Sequence, residues 1–101
     1  MGLSIVATDQ SGEIFERVDD PKNVLHKLLP TCDEESAGVL TKIDWYGDTY
    51  FNYLQARQFL REWDQLGQRA ETAEEGELVD GVRRLAEQCR KDRILLRFIG
   101  D

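Results

Sequence analysis

The chain of 101 residues is poor in the residue types from which most catalytic and metal sites are built, with two cysteines and one histidine. Cys32 and Cys89 lie far apart and form no CxxC pair or Cys/His ligand set, so neither a disulfide framework nor a zinc site is predicted. His26 would have to serve any Ser-His-Asp or Cys-His arrangement, and its helical neighbours Lys22 and Pro30 give it no support. We therefore expect free thiols, no metal, no cofactor and no catalytic residues.

Long apolar runs are also missing, because no stretch approaches the roughly 20 residues that a membrane-spanning helix needs. The first eight residues contain no basic leader and their short apolar run is followed by Asp9, so no secretory signal is predicted and a cytoplasmic location follows. Apolar residues make up 41% of the chain, which is too many for a disordered protein. The length fits a single domain over residues 1–101.

Positive charge is scarce, and the formal net charge is −7. Residues 1–50 hold ten acidic and four basic side chains, whereas residues 51–101 hold ten acidic and nine basic ones. A negative field repels phosphate backbones and anionic lipid and speeds the encounter with a basic protein. The balance predicts no binding to nucleic acid or membrane and favours a basic protein partner, unless the surplus serves only solubility.

Alternating patterns in the first half predict a β-hairpin from residues 3–8 and 13–18. Asp20 before Pro21 predicts the start of a short helix. Apolar residues at helical spacing then predict that this helix ends before Pro30. Residues 39–44 alternate again and predict a third strand.

The second half contains two amphipathic stripes and one apolar run. The first stripe predicts a helix that begins at Asp48 or Thr49 and ends near residue 70. Asn52 lies inside its apolar arc, however, so two alternatives are left open: a start later than Thr49, or a first turn that faces a different neighbour. Residues 71–77 are predicted to be a polar linker or a frayed turn before a second helix over residues 78–89. Residues 94–99 are apolar except for Arg97 and predict an interior strand covered on both faces.

These elements follow the order β-β-α-β-α-α-β. We expect an α+β fold, with a four-stranded, mostly antiparallel sheet and helices packed mainly on one face.

Aromatic residues are concentrated in residues 43–63, which hold both tryptophans, all three tyrosines and two of the four phenylalanines. A domain of this size rarely buries every aromatic side chain, so part of this segment should be exposed beside carboxylates. Tyrosine and tryptophan are enriched at binding hot spots. The predicted partner-binding residues are Asp44, Trp45, Tyr46, Asp48, Tyr50 and Tyr53. The alternative is that they pack, half-buried, around a sharp turn.

Asp44, Asp48 and Asn52 are spaced four apart and have suitable oxygen atoms for a hard cation, but calcium loops supply more oxygens and a bidentate glutamate. We expect instead that Asp48 caps the long helix and that Asn52 ties the turn to the strand. A small-ligand pocket at this strand-to-helix turn is an alternative, with Asn52, Arg57 and Arg97 as binding residues. A buried Arg97 would need a carboxylate or a bound anion.

Residues 46–55 read Tyr-Gly-Asp-Thr-Tyr-Phe-Asn-Tyr-Leu-Gln. This segment resembles the YGDTxFNxLQ segment of a group of small uncharacterised bacterial proteins, often actinobacterial. A looser similarity covers the Asp20-Pro21 turn and residues 98–101, and Trp45 stands where the resemblance suggests proline. The resemblance implies a shared fold and a shared role for the turn, and it assigns no catalytic residue.

The leading hypothesis is a non-catalytic, acidic protein-binding module, an inhibitor of the immunity or antitoxin kind that covers a basic site on a toxin or enzyme. The alternative is a small-ligand binding protein or minor enzyme with its pocket at the strand-to-helix turn. A third hypothesis is a homodimer formed through an exposed sheet face or edge.

Overall fold

A computed structural model describes residues 3–28, 38–44 and 46–100. The elements are β1 (Ser4–Thr8), β2 (Ile14–Asp19), α1 (Leu25–Leu28), a 3-10 helix (Val39–Lys42), β3 (Asp48–Phe51), α2 (Tyr53–Gly67), α3 (Ala73–Asp92) and β4 (Leu95–Ile99). None of the described helices is long and apolar enough to cross a bilayer.

The four strands form one sheet in the order β2-β1-β4-β3, and every neighbouring pair is antiparallel. In the centre, Val6 of β1 faces Arg17 of β2 on one side and Arg97 of β4 on the other. The predicted α+β fold with a four-stranded antiparallel sheet is confirmed. Strands β2 and β3 are the two edges of this sheet.

The hydrophobic core lies between one face of the sheet and helices α2 and α3. Strand residues at alternate positions, such as Ile5, Ala7, Leu96 and Phe98, are buried there. The helices contribute Ala56, Phe59, Leu60, Trp63 and Leu66 from α2, and Val79, Val82, Leu85, Ala86 and Cys89 from α3. Full burial of one large aliphatic or aromatic side chain stabilises a fold by about 1.5–3 kcal/mol. The helical stripes read from the sequence therefore hold the two layers together.

Four aromatic rings occupy the centre of this core. Phe59 stacks on Trp63 with ring centroids 5.2 Å apart, and Phe51 meets Phe98 edge to face at 5.9 Å. The indole Nε1–H of Trp63 donates a hydrogen bond of 2.9 Å to the carbonyl oxygen of Val79. This bond satisfies the polar atom of a fully buried ring and joins α2 to α3.

The third strand was predicted in the wrong place. Residues Val39–Lys42 form a 3-10 helix, and the strand is Asp48–Phe51. The carboxylate of Glu62 accepts hydrogen bonds from the amides of Val39 at 3.1 Å and Leu40 at 3.2 Å. Because Glu62 belongs to α2, a local alternating pattern could not reveal that these amides are held in a helical turn.

Helix α2 begins at Tyr53, so the predicted start at Asp48 or Thr49 was wrong and the later start left open was right. Asn52 is the N-cap: its side chain accepts a hydrogen bond from the Gln55 amide, and the Gln55 side chain accepts one from the Asn52 amide, both at 2.9 Å. This capping box satisfies two amides that a helix start otherwise leaves unpaired. It also takes Asn52 out of the apolar arc.

The predicted polar linker over residues 71–77 is mostly helix. Thr72 caps α3 by accepting a hydrogen bond of 3.1 Å from the Glu75 amide, so the helix begins at Ala73. Glu74 and Glu75 then lie in the first turn, where negative charge is stabilised by the helix dipole. The abundance of glutamate that resembled a linker is instead typical of a helix N-terminus.

Two further predictions were partly right. Asp20 accepts hydrogen bonds from the amides of Val24 and Leu25 at 2.8 and 2.9 Å, so it caps α1 as expected, but Pro21 lies in the turn before the helix. Strand β4 lies inside the sheet, as predicted, yet only one of its faces is covered. Leu96 and Phe98 are buried, whereas Arg97 is partly exposed because α2 and α3 pack on the opposite face.

Candidate functional site

The turn before β3 is held by hydrogen bonds from both sides. Asp44 accepts a bond of 2.9 Å from the Tyr46 amide, and the Asp44 amide donates one of 2.8 Å to the hydroxyl of Thr49. The Gly100 amide donates to the Gly47 carbonyl at 2.8 Å, which ties the turn to the end of β4. A Cβ atom at Gly47 would lie 2.8 Å from an Asp44 carboxylate oxygen, so any other residue at this position would displace the Asp44 carboxylate.

Three tyrosines project around the edge strand β3, and we call Tyr46, Tyr50 and Tyr53 the tyrosine edge. Their exposed fractions are 85%, 49% and 37%, respectively. Leu54, next in the chain, is also exposed. The structure thus places three of the predicted partner-binding aromatic residues together at the surface. Trp45 lies outside the described residues.

Asp48 and Arg97 form an ion pair on the face of the sheet that the helices leave open. The Arg97 Nη2 donates to the Asp48 carboxylate at 2.5 Å, and its guanidinium lies 5.4 Å from the centre of the Tyr50 ring. The register explains the contact, because Tyr50 faces Arg97 across β3 and β4. The hydrogen bond to Asp48 raises the pKa of Arg97. Asp48 was predicted to cap the helix, which is wrong because the helix begins five residues later.

Tyr53 contacts the end of the other long helix. The guanidinium of Arg93 lies 5.6 Å from the centre of the Tyr53 ring. Arg93 ends α3 in the left-handed conformation, with φ 57°, and its amide donates to the Cys89 carbonyl. The end of α3 therefore lies next to the start of α2 at Tyr53.

The carboxylates beside the tyrosine edge form hydrogen bonds or ion pairs within the chain. Asp48 is paired with Arg97, and Asp44 holds the Tyr46 amide. Arg93 adds a positive charge beside Tyr53. The acidic and basic side chains next to the three tyrosines are therefore equal in number. The net negative charge of the protein comes from residues farther from this edge.

The residues predicted for a small-ligand site have separate structural roles. Asn52 is used in the capping box, and Arg97 binds Asp48. The Nε of Arg97 is buried and has no hydrogen-bond partner among the described residues. Arg57 is exposed and forms no ion pair with any residue that the structure describes. Within those same residues, no group of three or more histidine, cysteine, aspartate or glutamate side chains could hold a metal ion.

The opposite edge of the sheet carries a second exposed apolar group, which the sequence analysis did not single out. Ile14 and Phe15 of β2 have exposed fractions of 48% and 49%. Alternation alone predicts that one of two neighbouring strand residues faces the core. Both are exposed because the register shifts between Ala7 and Thr8 and leaves Phe15 without a direct partner on β1.

Cys89 is a free thiol, as the sequence analysis predicted, and it is buried in the apolar stripe of α3. Burial, together with the nearby charge of Asp92, raises its pKa to about 12. A thiol with such a pKa is protonated at neutral pH and is a poor nucleophile. Cys32 lies outside the described residues.

Comparisons with protein-family models, with curated proteins and with solved structures find no match to this chain. The class that its own features define is an α+β domain with an antiparallel sheet, one helical layer and apolar residues exposed at both sheet edges.

Proposed function

We propose that this protein is a non-catalytic protein-binding module and that the tyrosine edge contacts its partner. The main support for this proposal is the exposure of Tyr46. This residue is 85% exposed and lies on a turn whose backbone is fixed by hydrogen bonds. An aromatic side chain on a rigid turn loses little conformational entropy when it binds. Tyrosine is also among the residues most enriched at binding hot spots.

The charge of the protein supports a basic partner. With a net charge of −7, the chain attracts a positively charged protein over a distance and accelerates their encounter. An inhibitor of the immunity or antitoxin kind, which covers a basic site on a toxin or enzyme, fits this combination. Because the attraction acts largely at long range, association should slow as the salt concentration rises.

Copurification of the tagged protein from its native host, followed by affinity measurement, tests this proposal. We expect Tyr46→Ala together with Tyr50→Ala to weaken binding of the retained partner by at least about tenfold, as removal of hot-spot residues does. Gln65→Ala, at an exposed position of α2 that belongs to neither sheet edge, is the control and should bind like the wild type. A folded double variant with unchanged affinity would refute the role of the tyrosine edge.

A small-ligand function is the alternative proposal, and the buried Nε of Arg97 without a described partner favours an anion. A thermal-shift screen with anionic metabolites tests it. The expected result is a stabilising anion whose effect is lost in Arg97→Gln and retained in Arg57→Gln. If no anion raises the melting temperature, the protein-binding proposal is favoured.

A further inference from the structure

Within the part of the chain that the structure describes, strand β2 is paired along only one side. It pairs with β1 on one side, and no described strand pairs with it on the other. We call residues 13–19, which comprise Glu13 and strand β2, the β2 outer edge. Unpaired amides and carbonyls on an edge strand can pair with an extended segment of another chain.

The register of β2 decides which part can accept a strand. The irregularity lies at Phe15, whereas Glu16 to Asp19 pair in unbroken register with Ala7 to Ser4. A bulge hinders indiscriminate edge pairing. Here it leaves a regular edge of four residues next to two exposed apolar side chains, so a docking strand would be fixed at one end by Ile14 and Phe15.

The free negative charge of this surface indicates the chemistry of the partner. Asp19 is neutralised by Arg17 at 2.7 Å, but Glu13 and Glu16 form no ion pair with any residue that the structure describes. At the tyrosine edge, by contrast, Asp48 is neutralised by Arg97. The β2 outer edge therefore combines exposed apolar side chains with two carboxylates that belong to no described ion pair, although Arg84 lines the same surface depression as Glu16.

A second copy of the chain fits this edge poorly. Two-fold antiparallel pairing keeps side chains on their own faces, so one residue of β2 must lie directly opposite the same residue of the second copy, with the symmetry axis midway between them. The two registers that pair most of the strand place Glu16 opposite Glu16 or Arg17 opposite Arg17. Like charges directly opposite each other destabilise a strand pair. The edge consequently favours a different chain with positive charge.

We propose that the β2 outer edge binds an extended, basic segment of a partner protein as a fifth strand of the sheet. Lysine or arginine side chains of that segment lie near Glu13 and Glu16, and its apolar side chains contact Ile14 and Phe15. This surface is at the opposite side of the sheet from the tyrosine edge, so the inference does not depend on the function proposed above.

The test uses a synthetic peptide that alternates lysine and valine, titrated into the isotopically labelled protein and followed by backbone amide NMR. We expect shifts along residues 13–19 and none along β3. A peptide that alternates glutamate and valine should bind more weakly. Glu13→Lys with Glu16→Lys should weaken binding of the lysine peptide about tenfold, because two opposite-charge pairs become like-charge pairs.

The matched control is Glu71→Lys with Asp92→Lys, which changes the net charge equally at exposed sites outside β2. This control should keep at least most of the affinity for the lysine peptide. Equal losses in the two double variants, shifts spread over the whole surface, or shifts confined to β3 would each overturn the inference. So would light scattering that shows a dimer disrupted by Glu16→Lys, because a second copy would then occupy the edge.

Discussion

The carboxylate of Glu62 binds the amide of Leu40 at 3.2 Å, although the two residues are 22 positions apart. The same carboxylate accepts the Val39 amide and the side-chain amide of Gln58. A Cβ atom at residue 38 would overlap with it, so Gly38 permits the approach. A side chain of α2 therefore acts as the cap of the 3-10 helix.

Loss of this cap should destabilise the fold. We expect Glu62→Ala to lower the free energy of unfolding by about 1–2 kcal/mol, the upper part of the range for lost helix caps. Glu62→Gln keeps an acceptor oxygen and should cost less. Urea denaturation measures both variants, and Gln58→Ala is the control for the side-chain contact alone. If Gln58→Ala costs as much as Glu62→Ala, the capping role is wrong.

The Trp63 indole gives a second stability prediction. Trp63→Phe removes the donor to the Val79 carbonyl in a fully buried site and also leaves unfilled volume. An unsatisfied buried polar group costs about 1–3 kcal/mol, to which the cavity adds. The change should appear in the midpoint of chemical denaturation with an unchanged m value. Phe59→Leu, which changes ring packing but no hydrogen bond, is the comparison that separates the two contributions.

Acidification should act partly through Asp19. Hydrogen bonds from Arg17 and Ser4 hold the pKa of this carboxyl below its ordinary value. A lowered pKa in the folded state stabilises the protein above the ordinary carboxyl pKa, and this contribution is lost as the pH falls through the folded-state pKa. Between about pH 5 and pH 2, the wild type should therefore lose more stability than Asp19→Asn. Arg17→Gln should likewise lose less stability than the wild type over this pH range. If the stability of the variants falls with pH in parallel with that of the wild type, this assignment is wrong.

Alkaline pH should lower the stability of the fold through Cys89. The folded state holds its proton up to a pKa of about 12, whereas an exposed thiol in the unfolded chain ionises near its ordinary value of 9.0. The unfolded state then binds fewer protons, so stability falls as the pH rises between these values, by at most about 1.4 kcal/mol per pH unit. Cys89→Ala should remove this slope. Thiol reagents should also modify the native protein at Cys89 only as fast as it unfolds.

Local patterns predicted the elements whose stabilising contacts are periodic. The apolar stripes of α2 and α3 follow from residues that face one core. The hairpin was predicted from alternation alone, although Ile14 and Phe15 of β2 are exposed. Strand β4 was correctly placed inside the sheet, although only one of its faces is covered.

Residues 39–44 were misassigned because Glu62, far along the chain, accepts hydrogen bonds from the amides of Val39 and Leu40. The start of α3 was readable in Thr72 and Glu75, whose spacing is that of a helix cap, but the glutamate-rich composition was given more weight.

The surface was less predictable than the core. The cluster of tyrosines indicated an exposed group, and the structure places three of them around β3. The pairing of Asp48 with Arg97 depends on strand register, which the sequence did not specify. The exposure of Phe15 depends on a register shift with no recognised sequence signal.

The middle of the sheet joins β1 to β4, the two described strands that are farthest apart in the chain. A nascent polypeptide therefore cannot complete its sheet until β4 has been synthesised and has left the ribosome. Before that moment, the β1–β2 hairpin lacks a neighbour and a two-stranded ribbon is marginally stable in water. Such distant pairing slows folding, so closure of the sheet should be a late step in the folding of this domain.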